Sequence, residues 1–301
     1  MNKLKVSYLN NKNINRKKWE MCVEQSSNSS IYARCWFLDI VCPNWYALIW
    51  GEYEYIMPLP VFQKFGITYL SQPIYSQQIS IYPPPPQNII NGMHKWVSLH
   101  FKYVHLSLSP ESTTNISDFA IEERKNFILP LNSPIQEIEN RYHPETRRNV
   151  KKASQAIFVV KPIAASELLN LKKSYPGVED KNAQAILTKI ILKALWLNKG
   201  VIYGAYTSNN ELCGAAFFLF DTKRVYYMNS VSSEIGKKYR AMYAIIHQFY
   251  RDNCEQNLLF DFEGSQNPGI AHFFKRFGSE IEIYQHIHKN KLPWPLRLMK
   301  K

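Results

Sequence analysis

The stretch LLFDFEGSQNPGIAHFFKRFGS, Leu258 to Ser279, reads as one strand, one turn and one helix. Along Leu259-Phe260-Asp261-Phe262-Glu263 successive side chains alternate between two faces, so Asp261 and Glu263 share one and the two phenylalanines take the other. Gly264-Ser265 breaks the strand. Asn267 stands where a helix N-cap belongs and Pro268 where a first helical residue belongs. Ile270, Phe273, Phe274 and Phe277 follow at helical spacing and predict a buried face, with Gly278 placed to end the helix. A strand that ends in two acids beside a helix start suits a proton acceptor next to an anion site. Loop capping, or pairing of the acids with surface lysines, is an equal reading of the same residues.

Working outward, 301 residues predict about two domains. A hydrophobic fraction of 46% with 20% charged residues is that of a folded protein able to bury a core. No apolar run reaches the ~18 residues that span a bilayer. MNKLKVSYLN has no signal-peptide core, and a cytoplasmic protein is expected. Five cysteines without a C-x-x-C pair predict reduced structural thiols, and eight histidines without H-x-x-x-H spacing predict no metal. The net charge of +13 is uneven, with 12 basic against 9 acidic residues up to position 130 and 25 against 15 after it. A basic second half attracts phosphates of nucleic acid, nucleotides or lipid headgroups, or is simply a solvated basic surface.

The two halves repeat one plan. Helices near Asn15–Gln25 and Tyr32–Val41 precede a hairpin from Trp45 to Leu59, a helix at Asn88–Leu99 and a strand at Lys102–Leu108. Helices at Ala165–Ser174 and Lys181–Asn198 precede a hairpin turning at Ser208-Asn209-Asn210, a strand at Arg224–Asn229, a helix at Lys238–Asp252 and the acidic strand. The expected fold class is therefore α+β, with domains at residues 1–140 and 141–301. Between them RYHPETRRNVKKA starts a linker helix over 143–155, with Pro144 in its first turn. Arg147, Arg148, Lys151 and Lys152 lie one turn apart, as a solvated helix or as a phosphate clamp in the groove between domains. Pro83–Pro86 must be extended surface chain. Gln72, Gln77 and Gln78 in SQPIYSQQ can bind a polar substrate or build a turn. The basic tail after His288, with Trp294, allows weak contact with a membrane surface.

RYHPETRRNVKKA followed by FDFEGSQNPGIAHFFKRFGS resembles the FemABX-like branch of the GNAT acyltransferase superfamily. The resemblance covers mainly residues 141–288, and YARCWFLDI and YLSQPIYSQQ look like the front domain of the same group. It implies two tandem GNAT-like domains, each a mixed, mostly antiparallel sheet flanked by helices. It also implies transfer of an acyl or aminoacyl group to an amine of a small metabolite or of a cell-wall (peptidoglycan) precursor such as a muropeptide. The donor substrate it implies is acyl-CoA or aminoacyl-tRNA, with no tightly bound cofactor expected. The superfamily's glycine-rich phosphate turn is degenerate here: in Ser233–Met242 only Gly236 is present, and Tyr239 or Arg240 falls where a glycine would stand. Cationic side chains can replace part of that cradle, and a basic half suits tRNA.

Direct attack of the amine needs a base, a stabilised carbonyl oxygen and a proton for the leaving group, but no acyl-enzyme nucleophile. Glu263 is the first choice for the base and Asp261 the second. Tyr227, a proton donor or a packing residue, and Asn229, a substrate ligand, lie on the neighbouring predicted strand and point the same way. Lys237, Lys238 and Arg240 are the donor-phosphate candidates, with the four cations of the linker helix as a second set. His272 is expected at the surface. Nothing calls for more than a monomer. The competing reading is a catalytically silent tRNA- or nucleotide-binding protein on the same fold.

Overall fold

The computed structural model describes residues 6–175, 180–294 and 297. The chain forms two compact units, one made of residues up to Arg124 together with Ile283 onward, the other of Lys125–Glu282. This differs from a division at 140/141 in two ways: the crossing comes earlier, and the end of the chain belongs to the first unit. Both crossings fall inside long strands, where no turn or change of composition marks them.

The first unit runs through β1 (Val6–Asn10), α1 (Arg16–Gln25), α2 (Cys35–Val41), β2 (Tyr46–Trp50), β3 (Tyr55–Leu59), β4 (Val61–Lys64), β5 (Ile67–Ser71), α3 (Gln87–His100) and β6 (Tyr103–Leu108). Strands β1-β2-β3 form an antiparallel sheet. Asn15 caps α1 by accepting from the Lys18 N–H at 3.1 Å, which satisfies one of the orphan amides of a helix start. The second unit holds β7 (Ala120–Pro130), α4 (Ile135–Asn140), α5 (Pro144–Ser154), β8 (Ile157–Val160), α6 (Ala165–Ser174), α7 (Lys181–Trp196), β9 (Gly200–Thr207), β10 (Leu212–Phe220), β11 (Arg224–Ser232), α8 (Glu234–Lys238), α9 (Ala241–Asn253), β12 (Leu259–Asp261) and α10 (Pro268–Lys275). The last strand, β13 (Glu280–Asn290), leads back to the first unit, where it pairs with β6 from Gln285 to Asn290. The first unit's larger sheet thus runs β4-β5-β6-β13, and the second unit's runs β7-β12-β11-β10-β9-β8.

In the second unit the two sheet faces are told apart by register. Tyr203, Ala205, Phe218 and Phe260 pack into one cluster with Ile245 and Phe249 of α9, where Phe218 and Phe249 stack at 4.0 Å. The alternating positions face the other way: the Tyr206 hydroxyl donates to Glu167 of α6 at 2.5 Å, and Phe217 lies against Gly200. Two segments that carry the family resemblance meet here. The His143 N–H donates to the Arg276 carbonyl at 2.9 Å, Tyr142 meets Phe277 edge-on at 5.5 Å, and Arg276 pairs with Glu145. Gly278 has φ +81°, and a Cβ there would come within 2.8 Å of the Arg141 carbonyl oxygen, so glycine is required on both counts. The RYHPE and FKRFG motifs are therefore two sides of one packed joint.

Candidate functional site

Among the described residues each unit contains one pair of neighbouring parallel strands, and the two pairs end differently. In the first unit β5 pairs with β6 only at Leu70–Val104 and Ser71–His105. The chain then closes its own gap. The Gln72 N–H donates to the His105 carbonyl at 2.8 Å, and its side chain accepts from the Ser107 N–H at 2.9 Å. Ile79 returns to ladder with β6 through Ser107 and Ser109. Gln72, expected as a substrate ligand, is thus a staple of this closure; Gln78 is buried and donates to Gln77 at 3.1 Å.

In the second unit β11 pairs with β12 at Arg224–Leu259, Val225–Phe260 and Tyr226–Asp261. There β12 ends, held on its other side by β7 and by the Phe262 N–H to Phe127 carbonyl bond of 2.9 Å. Strand β11 continues to Ser232 with β10 on one side only. Among the described residues no strand covers the other edge of Tyr227–Ser232. This open backbone edge, at the mouth formed by the end of β12, is the candidate site.

The two acids separate at that mouth. Asp261, inside the strand, is fully buried, and its Oδ2 accepts from Arg224 at 2.8 Å. Arg224 also reaches Glu282 at 3.2 Å, and Glu282 accepts from Asn126 at 3.1 Å. Burial holds the Asp261 carboxyl above the usual carboxylate range, with Arg224 pulling the other way. A carboxylate so enclosed is a framework group. Its Oδ1 accepts the backbone N–H of Glu263 at 2.7 Å and so fixes the next turn. Glu263 itself is half-buried with φ 62°, a left-handed conformation that a non-glycine residue adopts only under constraint. The expected strand of five residues is therefore three, and Glu263 does not share Asp261's strand face.

Tyr227 and Asn229 also separate. Tyr227 stands opposite Phe218 and Asn229 opposite Phe217, with a β-bulge between the two pairs. The extra residue reverses the alternation, so Tyr227 joins the α9 face and Asn229 the α6 face. The Tyr227 hydroxyl lies in the core and donates to Met242 Sδ at 3.2 Å, and burial pushes its pKa up to about 12. The side-chain oxygen of Asn229 is buried without a hydrogen-bond partner.

Three helices begin near these strands, and their starts differ. Ser233 caps α8 by accepting from the Gly236 N–H at 3.1 Å, and Asn267 caps α10 through the Gly269 N–H at 2.9 Å. At α9 the N-cap position is Arg240, which has φ 65° and makes no side-chain cap. Gly236, the sole glycine of the degenerate turn, serves packing: a Cβ there would sit 2.0 Å from the Cys213 carbonyl oxygen. Of the expected phosphate ligands, Lys237 pairs with Glu234 at 2.7 Å, Lys238 lies over the Tyr239 ring at 5.5 Å, and Arg240 is exposed. On α5, Arg147 donates to the Glu139 and Asn140 carbonyls at 3.2 and 2.8 Å and so caps α4, while Arg148, Lys151 and Lys152 are exposed. Arg147 and Lys151 line a cavity of about 420 Å³ with His247 and Tyr142, so the four cations do not form one clamp. His272 is exposed, as expected; Ile270, expected in the core, is 45% exposed. Arg224, the bulge and the bare start of α9 were not anticipated. Only the last has a sequence signal, the lack of Ser, Thr, Asp or Asn before Ala241.

No protein-family model and no curated protein matches the chain. Solved structures do. FemX is similar over 98% of this chain and 99% of its own, with a TM-score of 0.64 at 11% identity. The C-terminal domain of a putative lysylphosphatidylglycerol synthetase from Agrobacterium fabrum matches with a TM-score of 0.58 at 6% identity, covering 94% of each chain. L-PGS from Bacillus licheniformis matches with 0.54 at 8% identity, covering 94% of this chain and 93% of its own. At these identities it is the fold that is shared, an α+β fold.

Proposed function

We propose that the chain is an acyl- or aminoacyltransferase whose chemistry takes place at the open edge of β11 in the second unit. The observation that carries this reading is the contrast between the two parallel pairs: one closes on itself, the other leaves a backbone edge beside a constrained carboxylate. The unpaired N–H and C=O groups of Tyr227–Ser232 can ladder with an extended donor as an added strand would. The donor's phosphates would lie toward α9, whose first amides carry no side-chain cap, with Arg240 and Lys238 beside them.

Glu263 is assigned as the base. It takes the proton from the attacking amine as the nitrogen bonds to the donor carbonyl carbon; the tetrahedral intermediate then collapses, the bond to the donor's sulfur or ribose oxygen breaks, and Glu263 returns the proton to that leaving atom. Asp261 holds the base through the Glu263 N–H and is not itself a proton acceptor. Tyr227 is left out of the chemistry, because its hydroxyl is committed to Met242. The similarity to FemX and to lysylphosphatidylglycerol synthetases supports an aminoacyl donor. The engagement of Gly236 with Cys213 agrees with that choice, since it leaves no glycine cradle for a CoA pyrophosphate. An amine of a cell-wall precursor is the proposed acceptor class.

The test is transfer of labelled amino acid from bulk aminoacyl-tRNA, or of acyl group from acyl-CoA, to a panel of amines including UDP-linked muropeptide. Glu263→Gln should fold normally and lose about 100-fold or more in kcat. Full turnover in that variant removes Glu263 as the base. Binding of tRNA with a steep salt dependence, and no transfer from any donor, establishes the silent binding protein instead.

A further inference from the structure

Helix α7 has a second face that nothing in the described structure covers. Its inner face buries Ala183, Leu187, Ile190, Ile191 and Ala194. At about 100° per residue, Lys181, Ala185, Lys189, Leu192 and Trp196 fall within roughly 80° of one another on the outer side. All five are exposed, Leu192 to 53% and Trp196 to 72%. Lys193 holds its ammonium 3.9 Å from the centre of the Trp196 ring. No acid occurs between Lys181 and Trp196, and Asp180 is occupied as the N-cap, accepting from the Ala183 N–H at 2.7 Å. Beside this stripe a cavity of about 300 Å³ opens between α6 and α7. Three lysines line it, Lys172, Lys173 and Lys181, over an apolar floor of Leu169 and Leu187, and among the described residues its lining has no carboxylate.

We infer that the α6–α7 face docks on an anionic lipid bilayer. Trp196 and Leu192 enter the interface between headgroups and acyl chains, Lys189 and Lys193 meet headgroup phosphates, and the three-lysine cavity takes one headgroup. Charge complementarity selects this occupant. A protein partner would meet lysines and apolar side chains with no acid among them, whereas a bilayer offers anions at every point and an apolar layer for tryptophan just beneath. The chain would lie on the bilayer without crossing it; among the described residues no helix is long and apolar enough to span one. This inference does not depend on the chemistry assigned to the second unit.

The experiment is co-sedimentation of the full chain with vesicles of phosphatidylcholine alone or with 30% phosphatidylglycerol (about 0.1 M salt), and a gel-shift against bulk tRNA. Binding should require phosphatidylglycerol and weaken on added salt. Lys189→Gln with Lys193→Gln should weaken partitioning about 25-fold, near five-fold per lysine. Trp196→Ala should weaken it roughly ten-fold while leaving the melting temperature unchanged, since the ring is exposed. No vesicle binding, equal binding to both compositions, or binding unchanged by all three substitutions overturns the proposal. So does loss of tRNA binding, rather than vesicle binding, in the lysine variant.

Discussion

Replacing Arg224 by methionine tests how the base is held. The Asp261 side chain has no exposed surface and that of Arg224 is 21% exposed, at 2.8 Å separation. Removing the guanidinium leaves a carboxylate in the core without its counterion, which should cost about 3–5 kcal/mol. Asp261→Asn keeps an oxygen for the Glu263 N–H but has no charge to strand, so Arg224→Met in that background should cost less than about 2 kcal/mol. A coupling of about 2 kcal/mol between the two sites is the expected result. The pH dependence has a definite sign. The folded Asp261 carboxyl already sits above its ordinary value through burial, and loss of Arg224 raises it further. The folded state then binds a proton that the unfolded aspartate, near pKa 3.9, releases, so stability falls as pH rises through that window and returns on acidification, by about 1.4 kcal/mol per pH unit. Urea unfolding of the four proteins at pH 8, 6.5 and 5, followed by far-UV circular dichroism, measures both. If Arg224→Met costs under about 1 kcal/mol, or costs the same in both backgrounds, Asp261 is not the anchor described.

Glu263 has a left-handed backbone, so Glu263→Val should cost about 2 kcal/mol while Glu263→Gly stays within about 1 kcal/mol of the parent in thermal unfolding, both being inactive in transfer. Gly236→Ala should lose about 3 kcal/mol in urea unfolding, because its methyl group meets the Cys213 carbonyl; a phosphate-cradle role would leave stability unchanged and weaken donor binding instead. His94 on α3 is fully buried with both ring nitrogens unpartnered, and burial pushes its pKa down to about 4. The unfolded state therefore binds the extra proton between pH 6.5 and 4, and stability falls by roughly 3 kcal/mol on acidification through that window. His94→Leu should be more stable at pH 7 and lose most of that slope in pH-dependent melts.

Much of the helical framework was legible because helices are written locally. Asn267-Pro268 announces α10, and the apolar rows of Lys181–Asn198 announce α7 to within two residues. The candidate site was half legible. LFDFE alternates as a longer strand would, but β12 stops where β11 and β7 stop supporting it, and that register is long-range. The bulge that sends Tyr227 and Asn229 to opposite faces follows from the pairing of β10 with β11, and neither strand's own residues announce it. Arg224 reads as an ordinary strand-opening cation until its parallel neighbour places Asp261 beside it. The short strands β1, β4 and β5 carry aromatic and polar residues in no decisive period, and their existence depends on partners far along the chain.

The first unit is interrupted by the second, and that sets an order of events on the ribosome. Lys125–Glu282 is complete, with every strand of its own sheet made, while β6 still waits for β13. At about 5–20 residues per second the wait lasts on the order of ten seconds, during which β6 offers an unpaired edge and the slot of the buried Ile287 stands empty. A stop codon after Glu282 would spare the unit it follows and cripple the one that begins the chain. A nascent chain held at that length is where a chaperone would be needed most.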